Sequence, residues 1–210
     1  MKRRLEVVTG FLGAGKSSFI NSLIALTIIP NDKILVIQLE SGVTFIDNCS
    51  RVKTITFNND LSELSSFILE TTYEFNPSRV IIEFNGTLSL ESLRENLNKK
   101  ELNKEFYSGA NYFLCDGTTI DSYLLNMGGI LIPFIASANI ITVTNTLAIS
   151  HKDLGPSLKK LKTLNQKAFI LCVDSSCELY TALLKSNLFN RGLISKKLHF
   201  LSKYFKRDVV

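Results

Sequence analysis

Residues Gly10-Phe11-Leu12-Gly13-Ala14-Gly15-Lys16-Ser17-Ser18 join an apolar, β-branched run, Leu5 to Thr9, to a segment with helical spacing, Lys16 to Leu26. The stretch fits G-x-x-x-x-G-K-[ST] in the strand–loop–helix setting that this spacing requires. The glycines let backbone N–H groups turn inward around phosphate oxygens, and the N-terminus of the following helix adds its partial positive charge. On this reading Gly10, Gly13, Ala14, Gly15, Lys16, Ser17 and Ser18 line a phosphate site. Lys16 reaches the β- and γ-phosphates, and the Ser17 hydroxyl ligates Mg2+. Such a site also needs an acidic residue at the end of a neighbouring strand. Glu83 closes Arg79-Val80-Ile81-Ile82-Glu83 and is followed by Gly86, whose backbone can approach the γ-phosphate. Glu40 follows Ile34 to Gln38 and precedes Gly42, which makes it a second metal candidate.

Outward from this loop, short apolar runs alternate with helical patterns. Strands are expected at Lys33 to Gln38, Val52 to Phe57, Arg79 to Phe84, Ala110 to Cys115, Ile140 to Val143 and Ala168 to Val173. Helices are expected at Leu61 to Tyr73, Leu88 to Leu102, Tyr123 to Ile135 and near Leu158 to Leu164. Strands this apolar, spaced by helices, predict a parallel sheet covered on both faces, a three-layer α/β fold. The stretch from Ser122 to Ser150 has no Asp, Glu, Lys or Arg, and is long enough to span a bilayer. It carries Gly128, Gly129, Pro133 and several Asn residues, however, and its character changes midway. A buried helix followed by a buried strand is the better account, with no stable membrane insertion.

The chain has 210 residues, 45% hydrophobic and 20% charged, with a formal net charge of +5. That is one ordinary domain, long enough to bury roughly 70% of the surface its unfolded chain exposes. Of the 24 Lys and Arg residues, six fall in the last twenty positions, where only Asp208 opposes them, and the rest of the chain is neutral. A body that grips nucleic acid over a broad basic face is excluded. We therefore divide the chain into a nucleotide-binding domain, 1–190, and a basic tail, 191–210. In the tail Ile194, Leu198, Leu201 and Phe205 recur at helical spacing with lysines mostly outside the stripe, as in a closing helix or a docking helix for an acidic surface. The basic N-terminus runs into Glu6 and a glycine-rich turn rather than an apolar signal region, which points to the cytoplasm. Cys115 and Cys172 lie in strand-like runs and are expected to be buried thiols. His151 and His199 stand apart from any Cys or carboxylate pattern.

The loop Thr9 to Ser18, TGFLGAGKSS, closely resembles that of the CobW/HypB/UreG family of metal-centre GTPases, above all its CobW branch. Further similarities appear in order along the chain. Glu40-Ser41-Gly42 with Ile46-Asp47 is similar to the branch's Asn-Glu-x-Gly and following Ile-Asp. Glu83-Phe84-Asn85-Gly86 is similar to its Glu-Thr-Ser-Gly. Phe113 to Asp116 resembles the next strand, which ends in Asp. Leu164-Asn165-Gln166-Lys167-Ala168 resembles its Leu-Asn-Pro-x-Ala. The resemblance runs from about residue 5 to 173. It implies a P-loop GTPase fold in which Lys16 and Glu83 serve catalysis. Ser17, Glu83 and Glu40 would serve Mg2+, while Gly86 and Asn145 would join the nucleotide contacts.

The departures are as informative. Where the branch carries a Cys-x-Cys-Cys metal motif, this chain has Val52, Lys53, Thr54 and Ile55, so no tight structural zinc site of that kind is expected. Where the family reads guanine with Asn-Lys-x-Asp, Thr144-Asn145-Thr146-Leu147 stands. Leu147 accepts no hydrogen bond from guanine, so base choice should relax and weak or absent guanine specificity is expected. Leu39 replaces the Asn before Glu40, and the larger CobW proteins' second domain is not expected here. Together these features predict a GTP- or ATP-binding protein with slow Mg2+-dependent hydrolysis, switching near Glu40 to Asp47. Its protein partner would be a metalloprotein or corrinoid protein. The competing reading is a scaffold that binds nucleotide without hydrolysing it.

Overall fold

The computed structural model describes residues 2–39, 46, 48–86 and 89–189. Glu40, Asp47 and the tail 191–210, with the switch and closing-helix expectations that rest on them, lie outside the described residues. Seven strands form one sheet: β1 (Arg3–Gly10), β2 (Ile34–Gln38), β3 (Val52–Thr56), β4 (Arg79–Asn85), β5 (Phe106–Asp116), β6 (Ile140–Thr144) and β7 (Phe169–Cys172). Their order is β3-β2-β4-β1-β5-β6-β7, and every pairing is parallel. The chain winds outward from β1 to β3, returns to β4 on one side of β1, and continues from β5 on the other. All the strands thus end at one edge of the sheet, with the β1 terminus near its middle, where ligands of open α/β sheets bind.

The side chains divide with the pleat. Leu5, Leu35, Ile37, Val80, Ile82, Phe84, Phe113, Ile141 and Val143 face one layer of helices. That layer contains α2 (Leu64–Phe75), α3 (Leu90–Leu97), α4 (Lys100–Glu105), α5 (Ile120–Ser137) and α6 (His151–Leu164). Val8, Ile34, Val36, Ile81 and Leu114 face the opposite layer, made of α1 (Lys16–Thr27) and α7 (Leu179–Lys185). Both faces are covered, so the strands read as near-continuous apolar runs. Phe19, Phe84, Phe113 and Phe134 are fully buried between sheet and helices. At the opposite end of the strands, Arg79 forms an ion pair with the buried Glu6 carboxylate, and the Tyr112 hydroxyl donates to Glu6 Oε1 at 2.9 Å. Burial holds the Arg79 guanidinium below its ordinary pKa against the pull of Glu6, and pushes the Tyr112 phenol up.

Three helical expectations need correction. The 88–102 helix is two helices. Ser89 caps α3 by accepting from Glu91 and Ser92 N–H, and the chain opens at Asn98 and Lys99 before α4. Helix α6 begins at His151 rather than near Leu158, because Ser150 accepts from Asp153 N–H in a capping turn that carries the helix through Gly155-Pro156. Helix α5 is interrupted at Met127, just before Gly128-Gly129, and continues through Pro133. It is also not buried overall. Ile120, Leu131, Phe134 and Ile135 are inside, whereas Leu125 is 85% exposed and Ile130 and Ile132 face outward. This is a helix long and apolar enough to cross a membrane, but here its inner stripe packs on the sheet. Its Asp121 carboxylate accepts from Lys160 and Ser157 of α6. Cys115 is buried as expected, whereas Cys172 is exposed, because β7 is an edge strand.

Candidate functional site

Strand β1 ends at Gly10, and α1 opens at Lys16 with Gly15 as a left-handed N-cap, φ 89°. The loop between them is held by its own backbone, with Ala14 N–H donating to Phe11 O at 3.2 Å. Lys16 is 5% exposed, and its Nζ donates to Gly10 O at 2.9 Å and Phe11 O at 3.0 Å. The ammonium therefore bridges the mouth of the loop instead of extending into solvent. Ser17 and Ser18 follow in the first turn of α1. Gly86 completes this ring: its N–H donates to Gly10 O at 3.1 Å, and a Cβ there would stand 3.0 Å from Gly10 C. A side chain there would require the Gly10 backbone to give by a few tenths of an ångström.

Ser17 Oγ donates to Glu83 Oε1 at 2.9 Å, and Gln38 Nε2 donates to Glu83 Oε2 at 2.7 Å. Glu83 is 2% exposed, so this carboxylate is buried and aimed by two side chains. The register explains the meeting: Glu83 lies beside Val8 of β1 and Gln38 of β2, two residue pairs before the Gly10 and Asn85 pair at which the loop begins. A hydroxyl and a carboxylate in contact beside a phosphate loop are the hard oxygen donors that Mg2+ takes. Gln38 escaped the sequence reading, because nothing local distinguishes it from any residue closing a strand.

On the other side of β1, Asp116 ends β5 and Asn145 follows β6. Asn145 Nδ2 donates to Asp116 Oδ2 at 2.7 Å from a left-handed backbone, φ 57°, which Asn tolerates. Asp116 Oδ1 accepts from Thr118 N–H and hydroxyl. Burial alone would raise the Asp116 pKa, but these bonds from Thr118 and Asn145 hold it below the usual carboxylate range. Leu147 is 77% exposed and takes no part. Asp174, just past β7, accepts from Thr146 Oγ1 at 2.7 Å. The Phe11 ring packs on Tyr123 of α5 with centroids 4.3 Å apart, beside a small cavity between the loop, Cys115 and Asp116. The sequence-derived residues Gly10, Gly13, Ala14, Gly15, Lys16, Ser17, Ser18, Glu83, Gly86 and Asn145 thus share one sheet edge. Val52 to Ile55 form β3, and among the described residues no group of three His, Cys, Asp or Glu side chains could hold a metal ion.

No protein-family model matches the sequence, and no curated protein matches it. Solved structures do. The Zn(II)-bound YjiA GTPase from E. coli superposes with a TM-score of 0.62 at 19% identity, covering 81% of this chain and 57% of that one. This chain therefore spans under three-fifths of YjiA. The hydrogenase maturation factor HypB from Archaeoglobus fulgidus gives 0.54 at 13% identity, over 90% of this chain and 91% of that one. The signal recognition particle receptor FtsY from Elizabethkingia anophelis, in complex with GDP, gives 0.53 at 12% identity, over 91% and 65%. The seven-stranded parallel sheet with helices on both sides is the fold of these P-loop GTPases, and it matches the CobW/HypB-like arrangement that the loop and its following motifs imply.

Proposed function

We propose that this protein binds a nucleoside triphosphate with Mg2+ at the Gly10–Ser18 loop and hydrolyses it slowly. The observation that carries the reading is the linked set of Lys16 on the Gly10 and Phe11 carbonyls and Ser17 on the buried Glu83 carboxylate. Ser17 and Glu83 would hold the metal, which supplies positive charge to the phosphates when bound. Lys16 and the loop N–H groups stabilise charge on the transferred phosphoryl group. Gln38 acts as a positioning residue, fixing the free rotation of the Glu83 carboxyl group. Turnover is slow because no arginine stands at the described site to neutralise developing charge.

The biological setting we favour is a nucleotide-dependent switch in the cytoplasm, read by a protein partner. The structural neighbours include a Zn(II)-bound GTPase and a hydrogenase maturation factor, which supports a metalloprotein as that partner, a corrinoid protein being one candidate. The loss of the Asn-Lys-x-Asp and thiolate motifs favours the second reading, a scaffold that binds nucleotide without turnover. Phosphate release with GTP and with ATP, comparing wild type and Lys16→Ala, separates the two. Lys16-dependent release supports the enzyme. Lys16-dependent binding without release supports the scaffold, and the absence of both refutes the site.

A further inference from the structure

The remaining question at this site is which base it takes, and the chain's own hydrogen bonds narrow the answer. From the loop a nucleoside can lie along the sheet edge in one of two directions. Towards β4 and β2 the edge is closed by the Ser17–Glu83–Gln38 chain. Towards β6 and β7 it is flanked by both strand ends: a Cβ on Gly15 would lie 3.7 Å from Ser176 Cβ and 3.8 Å from Thr144 Cγ2. From β1 to β7 is three strand spacings, roughly 14 Å, the scale of an extended nucleotide. The base therefore belongs near the loops after β6 and β7.

Of the carboxylates at that end of the edge, Asp116 ends β5 and Asp174 stands just past β7. Asp116 is largely engaged: its Oδ1 accepts twice from Thr118 and its Oδ2 once from Asn145. Asp174 is exposed, and only its Oδ1 is engaged, by Thr146 Oγ1 at 2.7 Å. Its Oδ2 has no bond among the described residues. The two loops are tied as one wall, with Thr146 N–H donating to Val173 O at 3.2 Å and Val173 N–H to Val143 O at 2.9 Å. Asp174 is thus held in place while keeping open acceptor capacity.

We propose that Asp174 reads the base, and that the site prefers guanine. This rests on the nucleotide-binding reading above. Guanine presents two adjacent donors, N1–H and the exocyclic N2–H, which one carboxylate accepts together. Adenine turns the N1 lone pair towards the same position and is repelled. The acceptor missing at Leu147 is supplied from the next strand end.

Calorimetric titration of wild type, Lys16→Ala and Asp174→Asn with GTP, ATP and xanthosine triphosphate tests this. Wild type should bind GTP at least ten times more tightly than ATP. Asp174→Asn should lose GTP affinity about 10- to 100-fold, the scale of a hydrogen bond to a charged group. It should gain affinity for xanthosine triphosphate, because an amide N–H donates to the xanthine O2 that replaces the guanine amine. A gain of this kind cannot come from misfolding. Lys16-dependent binding with nucleotide ratios unchanged in Asp174→Asn overturns the base assignment alone. No Lys16-dependent binding of any of the three overturns the phosphate site with it.

Discussion

Replacing Gly10 and Gly13 separately with Ala tests whether the loop is held by its neighbours or only by its own conformation. Both glycines have positive φ, 147° and 79°. An L side chain at such a φ costs about 1–2 kcal/mol. The surroundings differ. A Cβ on Gly13 meets nothing within 4 Å, whereas one on Gly10 would stand 2.3 Å from Leu114 O. That atom is a backbone carbonyl of β5 and cannot rotate aside, so β1 and β5 must separate at the loop, adding about 1–3 kcal/mol. Gly13→Ala should therefore cost about 1–2 kcal/mol, and Gly10→Ala roughly 2–5 kcal/mol. At about 2–4 °C per kcal/mol for a domain of this size, the second change lowers the Tm by roughly 10 °C. Urea unfolding without nucleotide reads both costs as shifts in midpoint at constant slope. Equal costs for the two variants would refute the close packing of β1 against β5 at the loop.

Two further predictions concern stability. Asn165 is 8% exposed; its Nδ2 donates to Ile135 O and Ala138 O at 2.8 Å each, and its Oδ1 accepts from Lys167 and Ala168 N–H. Asn165→Ala leaves these groups unpaired between the end of α5 and the start of β7 and should cost about 3 kcal/mol in urea unfolding, at about 1 kcal/mol for each of the three bonds that are fully buried; a loss below 1 kcal/mol would sink this account. For pH, Asp116 and Asp121 have folded pKa values below their unfolded ones, Asp121 through Lys160 and Ser157. Their stabilisation is complete above the unfolded value of about 3.9 and is lost as pH falls through the folded values. Burial raises the Cys115 pKa, so its contribution is complete below the unfolded thiol value of about 8.5 and declines as pH rises. Thermal melts across pH should show a plateau between these limits, and Cys115→Ala should flatten the alkaline decline; an unchanged decline would contradict the assignment.

Much of the fold is legible locally. The near-continuous apolar runs of β1, β2 and β4 mark strands buried on both faces, and the expected strands all appear, longer or shorter by a few residues. Errors occur where local and tertiary signals disagree. Gly155-Pro156 looks like a break, yet the Ser150 cap and the packing of Leu161 carry α6 across it. Asn98 sits in an unbroken helical pattern, yet the chain turns there. Cys172 reads as core, yet among the described residues β7 has a neighbour on one side only. Asn165 enters the sequence reading as part of a resemblance, and the structure supplies its reason: one amide ties the end of α5 to the start of β7.

The site divides in the same way. The phosphate loop is nine consecutive residues whose chemistry depends on their own backbone, so spacing and residue type determine it without knowledge of the rest of the chain. Glu83 was also within reach, as an acid at a strand end followed by Gly. Gln38 and Asp174 were not, because each acquires its role from a strand that is distant in sequence. Gln38 meets Glu83 through the β2–β4 register, and Asp174 meets Thr146 across the β6–β7 pairing. Sequence by itself determines the parallel α/β class and the phosphate-binding loop, because both follow from local periodicity and backbone chemistry. Strand order is decided only by tertiary structure, since pairing is a long-range choice among similar apolar strands. That order determines which side chains surround the loop, and so which are placed to serve as the proposed metal donors and base reader.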